Sequence, residues 1–314
     1  MKRFILLLMV PAIIIAIVAL LFAPYIYVEI FPYRYSFPRV SDAPVELNKG
    51  EIHDDYFAVE YLGDDTYAIG EPRYYQANYS YLIIGDNRAL LFDAGSGTRD
   101  IWGVIERLTD LPVTILPSHL HFDHFAGIKA SDRLALVDLP STRSRIRNDL
   151  FRPGRYEFLG MFDGLKASSI PVAEWIAPDA LIELGGRSVQ LIFAPGHTPS
   201  SVMIYDQKGT RIFTGDFIYP TMLYAFLPGA NVSDYRKTTK RLLTELPSDT
   251  RLWTGHCCRR GGGFAAPWLT MADVADLDRA FELIDAGELE PSGLFPRRYR
   301  VNDQMDIGLA LSLR

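Results

Sequence analysis

The 314-residue chain predicts an α+β fold, a four-layer αββα sandwich. Two observations carry that prediction: each half of the chain opens on short apolar strands separated by Gly-Asp or Gly-Gly turns, and each half closes on a helical pattern. Two such halves bury one face of each sheet against the other and the remaining faces beneath helices. A composition of 48% hydrophobic and 22% charged residues excludes a disordered, collagen-like or disulfide-scaffold chain.

The elements follow in order. Strands are expected at 56–61, 66–69, 79–84 and 89–93, separated by Gly63-Asp64-Asp65 and Gly85-Asp86-Asn87, then a helix at 99–108 and a short apolar strand at 113–116. In the second half, 181–184 and 188–193 flank Gly185-Gly186 as a hairpin, and 201–205 and 211–213 flank Lys208-Gly209 as another. A helix begins near Ser233 with Leu242, Leu243 and Leu246 on one face; 251–254 reads as a final buried strand and 271–283 as a terminal helix.

The N-terminal end departs from this pattern. Of the 20 residues from Phe4 to Ala23, 19 are apolar, interrupted only by Pro11, which is enough to span a bilayer core of about 30 Å. A cleaved signal peptide has a shorter apolar region of about 7–15 residues and a small-x-small site, and Leu21-Phe22-Ala23 before Pro24 is a poor one. The expectation is an uncleaved transmembrane anchor over 1–23. Lys2 and Arg3 place the short N-terminus in the cytoplasm and the large domain on the extracytoplasmic side. Residues 24–50, with Pro24, Pro32, Pro38 and Pro44 among tyrosines, read as an irregular tether, leaving 51–314 as one domain. With a net charge of −6 the chain offers no general field for nucleic acid, so no nucleic-acid partner is expected. Its two cysteines, Cys257-Cys258, are neighbours that cannot form an ordinary disulfide.

Five of the six histidines fall in motifs. The run His119-Leu120-His121-Phe122-Asp123-His124 follows the strand at 113–116, and 119, 121 and 123 alternate toward one side of an extended loop. Imidazole and carboxylate together suit zinc, manganese or iron. His197 in Ala194-Pro195-Gly196-His197-Thr198-Pro199, Asp216 after Ile212-Phe213-Thr214-Gly215, and His256 after Leu252-Trp253-Thr254-Gly255 each sit at the carboxyl end of an expected strand.

In this order and spacing the motifs resemble the signature of the metallo-β-lactamase superfamily, over about residues 51–260. The resemblance implies the metallo-β-lactamase fold and two zinc ions, with Mn2+ or Fe2+ as alternatives. His119, His121 and His197 would hold the first, Asp123, His124 and His256 the second, and Asp216 would bridge both. Asp93, in Leu91-Phe92-Asp93-Ala94-Gly95-Ser96-Gly97, matches the family's supporting carboxylate behind the ligand loop. The implied activity is a hydrolase that attacks an ester, thioester or lactone carbonyl with a metal-bridging hydroxide, Asp123 passing a proton to the leaving group.

The same resemblance bears on the substrate. Dedicated metallo-β-lactamases usually place Cys or Ser where Asp216 stands, so Asp216 counts against a dedicated β-lactamase and favours the glyoxalase II-like and lactonase-like branches; a β-lactamase or a phosphodiesterase of the same superfamily is the alternative, the acidic chain disfavouring a nuclease. Tyr219 resembles in position the lactonase tyrosine that polarises the substrate carbonyl. Tyr74, Tyr75, Tyr79, Phe122, Phe217, Tyr224 and Phe226 cluster around the motifs, and any three lining the cleft would suit a lipophilic acyl substrate. Tyr224, Phe226, Arg259 and Arg260 are the candidate substrate contacts. The run Arg143, Arg145, Arg147, Arg152 and Arg155 reads either as a solvated face or as a site for anionic headgroups or an anionic acyl carrier. A silent binding protein on a decayed hydrolase fold is the alternative of another class. The sequons at Asn78 and Asn231 are candidate glycosylation sites in an exported chain.

Overall fold

The computed structural model describes residues 22–34, 40–41, 45–256 and 264–310. Most of the apolar run 4–23, Cys257-Cys258 and the expected substrate contacts Arg259 and Arg260 lie outside the described residues. Among the described residues no helix is long and apolar enough to cross a membrane.

Ten strands form the first sheet: β1 (Glu51–His53), β2 (Phe57–Gly63), β3 (Thr66–Gly70), β4 (Tyr79–Ile84), β5 (Ala89–Phe92), β6 (Val113–Leu116), β7 (Arg133–Val137), β8 (Ile146–Arg147), β9 (Leu150–Phe151) and β10 (Ile170–Ile176). They run in the order β1-β2-β3-β4-β5-β6-β7-β10-β9-β8. Six more form the second: β11 (Leu181–Glu183), β12 (Ser188–Phe193), β13 (Val202–Asp206), β14 (Arg211–Phe213), β16 (Arg251–Trp253) and β17 (Trp268–Thr270), in the order β11-β12-β13-β14-β16-β17. A third sheet orders β15 (Met222–Ala225), β19 (Asp306–Leu309) and β18 (Arg297–Arg300).

Tyr81, Leu90, Phe92 and Leu116 from the first sheet meet Val189, Leu191, Ile204 and Phe213 from the second in the central core. The outer face of the first sheet packs beneath the helices Ala23–Arg34, Trp102–Leu108 and Phe122–Phe125; that of the second packs beneath Val232–Glu245 and Met271–Ala286. This is the expected four-layer sandwich. β4, β5 and β6 are covered on both faces, which is why they read as unbroken apolar runs rather than alternating ones.

One stretch differs from the sequence expectation, and two others gain elements that the sequence did not assign. Part of the expected irregular tether is the helix Ala23–Arg34, with Val28 fully buried. Pro24 sits in its first turn, where the N–H it lacks would have no helical partner. In the region 140–180, β8 and β9 form a hairpin and β10 runs parallel to β7. After Pro291, β19 pairs in parallel with β15 and buries all four of its residues.

Candidate metal centre

The rim of the sandwich gathers the chemistry. β5, β6, β12, β14 and β16 all end at one edge, and Asp93, His119, His197, Asp216 and His256 emerge just beyond them. Where the sequence suggested an extended loop from 119 to 123, the chain bends over 118–121 and His121 is extended. Asp123 lies in the short helix Phe122–Phe125, whose N-cap is His121. The turn swings Asp123 and His124 toward the second half of the site. Behind Asp216 the backbone must pass close, since a Cβ on Gly255 would lie 2.8 Å from Asp216 Oδ1.

All seven expected ligands are buried and fall into two groups of four that share Asp216. In the first, His121 Nδ1 lies 2.8 Å from His119 Nε2 and 3.1 Å from His197 Nε2, with Asp216 Oδ2 3.7 Å from His197 Nε2. In the second, Asp216 Oδ1 lies 3.0 Å from both His124 Nε2 and His256 Nε2, and Asp123 Oδ2 lies 3.4 Å from His256 Nε2.

The outer ring nitrogens decide the tautomers. His124 Nδ1 donates to Asp93 Oδ2 at 2.8 Å, His197 Nδ1 to the Tyr224 carbonyl at 2.8 Å, and His256 Nδ1 to the Gln76 carbonyl at 3.1 Å. Each Nδ1 therefore holds a hydrogen and each Nε2 faces inward, where a bound cation would take its lone pair. His119 Nδ1 sits 3.0 Å from Ser118 Oγ. Five imidazole nitrogens and the Asp123 and Asp216 carboxylates therefore converge in two buried groups, the ligand atoms of each lying within 4.8 Å of one another. Such a cluster is favourable only around positive charge, so the donor set fits two divalent cations.

Charge in the cluster is divided. Burial holds His119 and His121 well below the ordinary imidazole value and lowers His197. Burial opposes charge on His124 and His256 too, but the Asp216 and Asp123 carboxylates outweigh it and raise both. Asp216 is pushed up by burial yet held well below the usual carboxylate range by His256 and His124.

Asp93 stands where the sequence placed it: Oδ1 accepts from the Ser118 N–H at 2.6 Å while Oδ2 holds His124. Sequence reasoning missed three further residues. Gln76 Nε2 donates to Asp123 Oδ2 at 3.1 Å and Asn78 Nδ2 to the Asp123 carbonyl at 2.6 Å. Fully buried Glu71 accepts from the Ser96 N–H, Ser96 Oγ and Tyr56 Oη, pinning the loop that carries Asp93. The only sequence signal for the first two is a polar Gln-Ala-Asn set among tyrosines. Asn78, 1% exposed, is thereby removed as a glycosylation site, and Asn231 Oδ1 caps the helix Val232–Glu245 by accepting from the Asp234 N–H.

The substrate expectations divide. Tyr219 packs its ring 5.4 Å from that of His256, but its hydroxyl donates to the Met222 carbonyl at 2.8 Å. Tyr224 is half-buried beside the site, whereas Phe226 is 1% exposed, sealed between Tyr27 and Phe295, and cannot line a cleft. Of the other aromatics singled out, Tyr74, Tyr79, Phe122 and Phe217 are core, and only Tyr75 is exposed. The arginine run is mostly engaged: Arg143 with Asp138, Arg145 with Glu157 and Arg155 with Glu29.

An αββα sandwich holding two His/Asp clusters joined by one aspartate defines a dinuclear metal-dependent hydrolase. The sequence model of the metallo-β-lactamase superfamily matches residues 74–256, more than half the chain, and the chain belongs to that superfamily. Among relatives, it is 26% identical over 215 residues to the acyl-coenzyme A thioesterase MBLAC2 of Gallus gallus, covering 60% of this chain and 76% of the relative. It is 27% identical over 184 residues to the hydroxyacylglutathione hydrolase of Aeromonas hydrophila, covering 57% and 61%. Among solved structures, a metallo-β-lactamase from Pontibacter korlensis superposes with a TM-score of 0.53 at 15% identity, over 72% of this chain and 99% of that one, a likeness of fold.

Proposed function

We propose that the protein is a membrane-anchored hydrolase of acyl thioesters or the related esters and lactones. The observation that carries this reading is Asp216, shared between two complete ligand groups. Relatives named as an acyl-coenzyme A thioesterase and a hydroxyacylglutathione hydrolase support an acyl substrate.

His119, His121, His197 and Asp216 would hold one divalent cation, and Asp123, His124, His256 and Asp216 the other. Bound there, such cations polarise a carbonyl and make water a competent nucleophile at neutral pH. The chain's own groups do the rest. Asp93, Gln76 and the Tyr224 carbonyl fix the imidazole orientations. Gln76 Nε2 steadies the Asp123 carboxylate, which accepts the proton released from attacking water and passes it to the departing thiol or alcohol. Tyr75 and Tyr224 offer the apolar surface nearest the site for an acyl chain. The apolar run 4–23 supports a single membrane pass, and Lys2 and Arg3 support an extracytoplasmic catalytic domain.

The test is a panel of thioesters, lactones, β-lactams and phosphodiesters given to metal-loaded full chain, with His121→Ala as control. Preferential turnover of the acyl thioester or lactone, lost on chelation and in His121→Ala, is expected. Turnover of β-lactams or phosphodiesters alone, or full activity without metal, overturns the reading.

A further inference from the structure

The helix Ala23–Arg34 is inverted. A helix on a globular domain shows water a polar face, yet Phe22, Tyr25, Ile26 and Ile30 are the residues this segment exposes, while Val28 is buried on the other side. Phe22, Ile26 and Ile30 recur at four-residue spacing and so lie along one stripe. The one acid among 22–30, Glu29, is committed to Arg155 and Tyr156. Around the stripe the domain adds apolar groups of its own: Leu294 is 90% exposed beside Phe295, which touches Tyr27, and Leu165 lies just past the turn Gly160–Phe162 that packs on the helix. Arg147, Arg152 and Lys166 are exposed in the same stretch of chain as Arg155 and Tyr156, which hold Glu29 of the helix.

The same helix adjoins the metal centre. Tyr27 packs on Phe226, Phe226 on Tyr224, and the Tyr224 carbonyl holds His197. Exposed Tyr75 packs its ring on that of Tyr74, 4.8 Å apart and tilted, and the Tyr74 hydroxyl donates to Asp163 next to that turn.

We propose that this face rests on the lipid bilayer, so that the mouth of the metal centre opens at the membrane surface and takes long-chain acyl substrates from it. The occupant is identified by continuity: the 20-residue apolar run ends at Ala23, the first residue of the inverted helix. The exposed basic residues of the stretch that holds Glu29 match anionic headgroups. The substrate class rests on the acyl-hydrolase reading; the seating of the face does not.

The full chain is reconstituted in vesicles of phosphatidylcholine and phosphatidylglycerol carrying brominated acyl chains. Leu294→Trp places a reporter on the face, and Leu181→Trp places one on β11, the edge strand of the other sheet, where Leu181 is 64% exposed. Emission added by Leu294→Trp should fall by about half, as for an interfacial tryptophan, and that added by Leu181→Trp should persist. Equal quenching of the two overturns the proposal. So does self-association of the chain that Ile30→Asp abolishes without any quenching of Leu294→Trp, since a second copy would then cover the face. The paired change Ile26→Asp and Ile30→Asp should slow hydrolysis of a long-chain acyl thioester in the vesicle about tenfold and leave a short, water-soluble thioester unchanged. Equal loss on both overturns membrane access. If neither thioester is cleaved by the parent chain, the acyl reading fails while the quenching still reports the face.

Discussion

Asp93 adopts a left-handed backbone, φ +65°, which non-glycine residues tolerate only when their surroundings hold them there. Its carboxylate is gripped at both oxygens, by the Ser118 N–H and by His124. Replacing Asp93 by Ala removes the acceptor that sets the His124 tautomer and should weaken metal binding 10–100-fold, read by chelator competition. Glu71 works one step further out. Burial raises its carboxyl above the ordinary value, so the folded protein holds the proton more tightly than the unfolded chain. Its contribution to stability therefore declines as pH rises from the unfolded value through the raised one. Glu71→Gln keeps an acceptor for Ser96 and should remove that decline from a plot of urea midpoint against pH. Glu71→Ala strands the Ser96 N–H and the Tyr56 hydroxyl and should cost about 2–4 kcal/mol. The ligands were legible in sequence because metal chemistry restricts residue types and their spacing after strands. Glu71, Gln76 and Asn78 were not, because a hydrogen-bonded support needs only a polar atom at the right place in space.

At the scale of elements, the two sheets are also joined at the rim opposite the metals. Asp206, fully buried, accepts from Arg187 Nη2 at 2.5 Å and Arg211 Nε at 2.8 Å, and both arginines reach across to Leu62 or Asp64 in the first sheet. Asp206→Ala leaves two buried guanidinium groups without this counter-ion and should destabilise the fold by about 3–5 kcal/mol in urea unfolding. The folded fraction should keep its kcat, since β14 carries Arg211 at one end and leads to Asp216 at the other. Sequence reading placed β4, β6, β12 and β14 at their observed bounds, because apolar runs between turn residues are local signals. It missed β10, which opens with Ile-Pro and alternates irregularly, and β19, whose pairing with β15 spans some eighty residues of chain, together with β18, which pairs on β19. It also read the prolines near the N-terminus as breakers, although Pro24 stands where a helix tolerates one.

For the whole molecule, the divided charge of the metal centre predicts that its two halves empty at different pH. Metal binding needs unprotonated ligands, so a site whose ligands hold protons in the metal-free protein loses affinity first on acidification. His119, His121 and His197 are lowered from an ordinary value of about 6.5 and stay proton-free as pH falls through neutrality. His124 and His256 are raised and must each release a proton when a cation binds. Metal content in a weak chelator should therefore step from two per chain to one on acidification, with the survivor in the His119, His121, His197 group. Metal analysis after gel filtration reads the step; His121→Ala should abolish the remaining ion, and loss of both metals in one transition would refute the order. Stability follows the same sign. The raised imidazoles stabilise the metal-free fold below the unfolded pKa and lose that contribution as pH rises through their folded values, while the lowered three destabilise it as pH falls below about 6.5. Bound metal stabilises in proportion to its affinity, which increases with pH as these protons leave. The difference in urea midpoint between metal-loaded and chelated protein should accordingly be larger at pH 8 than at pH 6, and a difference that narrows toward pH 8 would contradict the protonation assigned to His124 and His256.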